Sequence, residues 1–115
     1  MTEIPENPAN SPDGRWVSPV PPPTDYEREL LTILIEECAE VQQRATKSLR
    51  FGPTEVQPGQ SLSNNQRLAR ELGDLYAVAS LAEEAGLLNP REIDDAIREK
   101  HRKLKKFMQT RKSNA

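Results

Sequence analysis

The stretch TDYERELLTILIEECAEVQQRATKSLRFGP, residues 24–53, decides the fold. Thr24 offers a hydroxyl to the amide three residues on, and Glu27 can reach back to the Thr24 amide, the reciprocal capping box that starts a helix. Apolar residues then recur at Leu31, Leu34/Ile35, Cys38, Val41, Ala45 and Leu49, a helical period. Gly52 followed by Pro53 ends the pattern. These signals predict a helix over about residues 25–50.

Outward from this helix the chain repeats the same grammar. Residues 52–62 carry Gly52, Pro53, Pro58 and Gly59 and read as a loop. Ser63 with Gln66 forms a second capping box, followed by the stripe Leu68, Leu72, Leu75, Ala79 and Ala82, with Gly86 placed to stop it. A third helix opens at Asn89-Pro90-Arg91-Glu92: Asn89 caps, Pro90 takes the first helical position and Glu92 completes the box. Ile93, Ile97, Leu104 and Phe107/Met108 form its apolar face. Strand-like alternation is absent from the pattern, so the expected fold class is all-α, a bundle of three main helices within residues 24–110. Residues 1–23 hold seven of the ten prolines and read as a flexible, proline-rich N-terminal tail in which Trp16 is the only tryptophan. Residues 111–115 read as a disordered C-terminus.

A chain of 115 residues is one domain or less, and its 35% hydrophobic fraction falls below the ~45–50% of ordinary globular chains, although that reference also counts glycine. The core is therefore expected to be thin, and three helices cannot close a four-helix core alone. A homodimer or homotetramer is the expected state. No apolar run approaches the ~20 residues of a membrane span, and no basic, then apolar leader opens the chain, so no membrane partner is expected. One cysteine, Cys38, cannot pair internally, which suits a cytoplasmic location. The net charge of −2 hides an asymmetry: residues 1–97 hold 8 Lys/Arg against 17 Asp/Glu, while residues 98–115 hold 8 against Glu99 alone. An acidic body with a basic end suits a metal site plus an anion contact, although an ordinary solvated helix end is the leading reading of the basic run.

The acidic residues are patterned. On the first helix Leu30, Ile33, Glu37, Glu40, Arg44 and Lys47 share one side, bordering the apolar stripe and turning acidic at Glu37 and Glu40. On the second, Arg67, Glu71, Asp74, Val78 and Leu81 form a row whose carboxylates again stand three residues apart. Antiparallel packing would bring four carboxylates to one groove, where unneutralised they repel and suffer desolvation. A cation belongs there, and an all-oxygen donor set favours a hard ion such as Mg²⁺, with Mn²⁺ as an alternative. A solvated acidic face is the competing reading. On the third helix Lys100 occupies a core-facing row; it either snorkels to solvent or reaches an acidic groove or a phosphate.

Glu36-Glu37-x-x-Glu40, a loop, then Glu71-Leu72-Gly73-Asp74 resembles the EExxE…ExxD signature of the MazG-like all-α nucleoside triphosphate pyrophosphohydrolases, over about residues 26–108. The 30 residues between Glu40 and Glu71 exceed the compact family pattern, which bears on the base pocket more than on the acids. The resemblance implies Mg²⁺-dependent hydrolysis of a (d)NTP to the monophosphate and pyrophosphate, in nucleotide-pool sanitation. It implies Glu37, Glu40, Glu71 and Asp74 as metal ligands, and Glu36 as holder of a second ion or of the attacking water. Lys100 would be the lysine that meets acids or phosphates, making Glu36, Glu37 and Lys100 the catalytic set. Lys47 and Arg50 are candidate phosphate contacts, or plain C-terminal helix charges. Asn64, Asn65 and Arg67 are candidate base or sugar contacts, with helix-start roles open to both asparagines. Two alternatives stay open: a non-catalytic helical module whose basic end contacts nucleic acid, a partner the acidic body disfavours, and a phosphoribosyl-ATP pyrophosphohydrolase of the same superfamily.

Overall fold

A computed structural model describes Gly14 and residues 20–110, so Trp16, nearly all of the expected tail and residues 111–115 lie outside the described residues. Three helices follow one another: α1 (Asp25–Phe51), α2 (Asn64–Glu84) and α3 (Pro90–Phe107). No strand occurs among the described residues, and no helix there is long and apolar enough to cross a membrane. The all-α expectation holds.

Local chemistry sets the boundaries. Both expected capping boxes form: Thr24 Oγ1 accepts from the Glu27 amide at 3.1 Å while Glu27 accepts from Thr24 at 2.8 Å, and Ser63 and Gln66 repeat the exchange at 3.2 and 2.9 Å. At Asn89 the structure departs from expectation. Its side chain accepts from Arg91 at 2.9 Å, and the cap is not the reciprocal box expected with Glu92. Gly52 ends α1 at φ 101°, a backbone conformation open to glycine, and its amide returns to Ser48 O.

α1 and α2 pack as an antiparallel hairpin, and this packing is the body of the molecule. Its buried apolar side chains are Leu30, Val78 and Ala82. The face of α1 turned to α2 runs through Leu30, Leu34, Glu37, Val41, Arg44 and Ser48, all buried or half-buried. This coincides with the expected stripe at Leu34 and Val41, with Leu31 half-buried beside them, and departs from it elsewhere. Ile35 is 70% and Leu49 86% exposed, and Cys38 and Ala45 are exposed with them. On α2 the expected stripe does face inward, with Val78 added. α3 stands apart: it buries no residue, and Ile97, Leu104, Phe107 and Met108 of its apolar face are exposed.

The α1–α2 loop is clamped by one residue. Asn64 is 1% exposed, and its Nδ2 donates to Gly52 O at 2.9 Å and to Glu55 Oε1 at 3.2 Å. The amides of Asn64 and Asn65 donate to Glu55 O and Pro53 O, both at 2.9 Å, so the start of α2 is tied to the end of α1. Asn64→Ala should cost about 1–3 kcal/mol, because it removes the buried amide that ties the Gly52 carbonyl to the Glu55 carboxylate. Chemical denaturation reads this as a lower midpoint; an unchanged midpoint would show that the loop amides alone carry the clamp.

Candidate metal centre

The antiparallel register places the acids. Ser48 Oγ donates to Asn65 Oδ1 at 3.3 Å near the loop. Further along the seam, carboxylate oxygens of Glu37, Glu71 and Asp74 all lie within 4.8 Å of one another. Glu40, on the same face of α1, stands beside Glu71 and bears on its proton. Three of the four acids expected to converge across the hairpin, Glu37, Glu71 and Asp74, therefore do so, while Glu40 lies outside that set and acts on Glu37 and Glu71 through its charge. On each helix the acids stand three residues apart, the spacing that keeps both on one face.

Their electrostatics follow from crowding. Glu71 is pushed up to about 6, first by the hydrogen bond in which its protonated carboxyl donates to Glu40, then by partial burial and the charges of Glu40, Asp74 and Glu37. Glu37 is also raised, first by burial and then by the charges of Glu40 and Asp74, against a hydrogen bond from Glu71 that pulls the other way. One oxygen of each, Glu37 Oε2 and Glu71 Oε2, is buried without a hydrogen-bond partner. Buried carboxylate oxygens without donors are costly, and a cation in the seam would satisfy both. Opposite ligands of Mg²⁺, each at about 2.1 Å, stand roughly 4.2 Å apart. A cluster spanning 4.8 Å needs only small side-chain motion to match that.

The other candidates divide. Glu36 is exposed on the flank beside Glu37. Lys47 is half-buried with its ammonium 5.5 Å from the Phe51 ring centre, and Arg50 stacks on the other side of accessibility, exposed, at 5.0 Å from the same ring. Asn65 is exposed and engaged by Ser48, while Asn64 is structural. Arg67 is half-buried on α2, one turn from Glu71. Lys100 is not brought to the acids. It lines a shallow cleft with Tyr76, Ile97, His101 and Leu104, and Tyr76 projects from α2 about 200° around the helix from Asp74. The hairpin thus has an acidic flank and an apolar flank, and α3 leaves along the latter. Arg44, to which the sequence pattern assigned no role, sits half-buried on the same face as Glu37. Comparison with protein-family models, curated proteins and solved structures returned no match for this chain.

Proposed function

We propose that the chain is a Mg²⁺-dependent nucleoside triphosphate pyrophosphohydrolase of MazG-like type, converting a (d)NTP to the monophosphate and pyrophosphate. The observation that carries the reading is the meeting of Glu37, Glu71 and Asp74 oxygens within 4.8 Å, with two buried oxygens left without donors. Glu37, Glu40, Glu71 and Asp74 would hold the ion, with Mn²⁺ a substitute of the same oxygen preference. The ion supplies charge neutralisation for an approaching polyphosphate and polarises its phosphoryl oxygens. A water attacks the α-phosphorus, the α–β bridging P–O bond breaks, and pyrophosphate leaves. Glu36, exposed beside Glu37, is the carboxylate free to take that water's proton. Lys47 and Arg50 are the phosphate contacts this reading would use, once released from the Phe51 ring.

The reading includes self-association, as a homodimer or homotetramer, because Ile35, Leu49 and Tyr76 expose an apolar flank opposite the acids. Lys100 lies on that flank in the single chain, so its part in the reaction requires a neighbouring copy. Pyrophosphate release from a panel of canonical and damaged (d)NTPs, with Mg²⁺ and with EDTA, tests the reaction class. Mg²⁺-dependent release that Glu37→Gln lowers by about 100- to 1,000-fold, the scale of losing one preorganised electrostatic contact, is the expected result. Silence on every nucleotide from a folded, metal-binding protein would overturn it.

A further inference from the structure

Two arginines repeat, with opposite charge, what the carboxylates do. Arg44 lies four residues after Glu40 on α1, and Arg67 lies four residues before Glu71 on α2. Because the helices run antiparallel, both steps move the same way along the seam, about one turn or 6 Å toward the loop. The register is fixed on either side of them. Carboxylate oxygens of Glu37 and Asp74 meet below, and Ser48 and Asn65 hydrogen-bond above. Arg44 and Arg67 therefore share one rung, each on its helix's half-buried face. Among the described residues neither guanidinium has an ion pair or a hydrogen-bond acceptor.

Like charges brought to one rung of a half-buried seam repel, and a ligand of opposite sign relieves them. The start of α2 offers no alternative anion site, since its first amides are already spent on Glu55 O, Pro53 O and Ser63 Oγ. Lys47 and Arg50, the neighbouring cations, are drawn to the face of Phe51. We infer that Arg44 and Arg67 form an anion clamp that takes a phosphoryl group, one turn loopward of the carboxylates. Paired guanidinium forks suit a tetrahedral oxyanion, which accepts two parallel N–H bonds from each. The clamp gives the seam a direction: a polyphosphate lies along it with one end at the acids and the other at the arginines. This deepens the pyrophosphohydrolase reading and rests on it for the identity of the ligand, but not for the existence of the anion site.

Calorimetric titration with inorganic pyrophosphate in EDTA, at low ionic strength, reads the clamp without metal or turnover. The wild type should bind, and Arg44→Gln and Arg67→Gln should each weaken binding at least about tenfold, while Glu37→Gln should bind as well as the wild type or better because it removes a repelling charge. Arg44→Lys keeps the charge and loses the fork, so it should fall between, which also guards against a folding defect in the glutamine variants. No binding by the wild type, or binding untouched by both glutamine variants, would overturn the clamp. Titration with MgCl₂ alone separates the two claims: Arg44→Gln should retain Mg²⁺ binding and Glu37→Gln should lose it. Pyrophosphate binding that depends on the arginines, in a protein that binds no Mg²⁺, would leave the clamp standing and remove the metal-dependent reading.

Discussion

Glu71→Gln is expected to abolish Mg²⁺-dependent turnover while making the metal-free protein more stable above about pH 6. Glu71 titrates near 6 in the folded chain against an ordinary value of 4.5. A folded-state value above the unfolded one means that the folded protein holds the proton more tightly, so this group's contribution is fully present below 4.5 and is lost as pH rises through about 6. Glu37, raised by burial and by its acidic neighbours, acts in the same direction. Glutamine cannot ionise, so the variant should lose much of this pH slope. Thermal melts in EDTA at pH 5 and pH 7.5 read it as a smaller fall in Tm across that interval than the wild type shows; identical slopes would mean that the acids do not repel in the folded state.

Added Mg²⁺ reverses the order. At a concentration a hundredfold above Kd a ligand that binds only the folded state stabilises by about 2.7 kcal/mol, or about 10–20 °C for a chain of this size. The wild type should show that rise at pH 7.5, and Glu71→Gln should not. The rise should shrink at pH 5, where the proton on Glu71 competes with the ion. Opposite effects on the metal-free and metal-loaded protein separate a ligand from a residue that merely supports the fold, which would weaken both states.

The second large effect concerns assembly. Ile35→Glu combined with Leu49→Glu should convert an oligomer to single chains, raising the dissociation constant by at least about a thousandfold. Both side chains point away from α2, at 70% and 86% exposure, on the flank that also shows Tyr76. With Leu30, Val78 and Ala82 as the buried apolar set of the described residues, a lone hairpin has little to hold it. In a two-fold interface each substitution acts twice, and burying unpaired charge costs several kcal/mol. Analytical ultracentrifugation should show a multiple of the chain mass for the wild type and one chain mass for the variant. A wild type that sediments as a single chain at micromolar concentration would sink the proposal.

What the sequence disclosed divides along the same line as the physics. Helix starts at Thr24 and Ser63 were readable because a capping box closes within four residues. The acid cluster was readable because Glu37/Glu40 and Glu71/Asp74 announce a face on each helix, and antiparallel packing is the only further step. Which face of α1 turns inward was readable only in part: Leu31, Leu34 and Val41 of the expected stripe are half-buried, and its other members are exposed. α1 is apolar along two rows, one through Leu30 and Leu34 and one through Ile35 and Leu49, and periodicity ranks them by hydrophobicity alone. The packed row is the one interrupted by Glu37 and Arg44, the less apolar of the two. Arg44 went unassigned because a single arginine on a helix says nothing until Arg67 stands across from it. For Lys100 the pattern leaves two destinations open, solvent or an acidic groove, because helical period does not say where α3 goes; α3 buries nothing and leaves beside Tyr76.

The clamp at Asn64 works as a length gauge. Sliding α2 by one residue against α1 shifts every facing pair by about 1.5 Å, a large fraction of the 4.8 Å within which the three carboxylates meet. Gly52, Pro53 and Glu55 set that offset through their carbonyls, so an extra residue among them would misalign acids and arginines together without removing any of them. The outer arch, where Gln60 bonds only back to Gln57, bears no such constraint. Length variation in this chain is tolerable at the arch and ruinous at its feet, so the spacing between two helices carries as much of the site as the residues that line it.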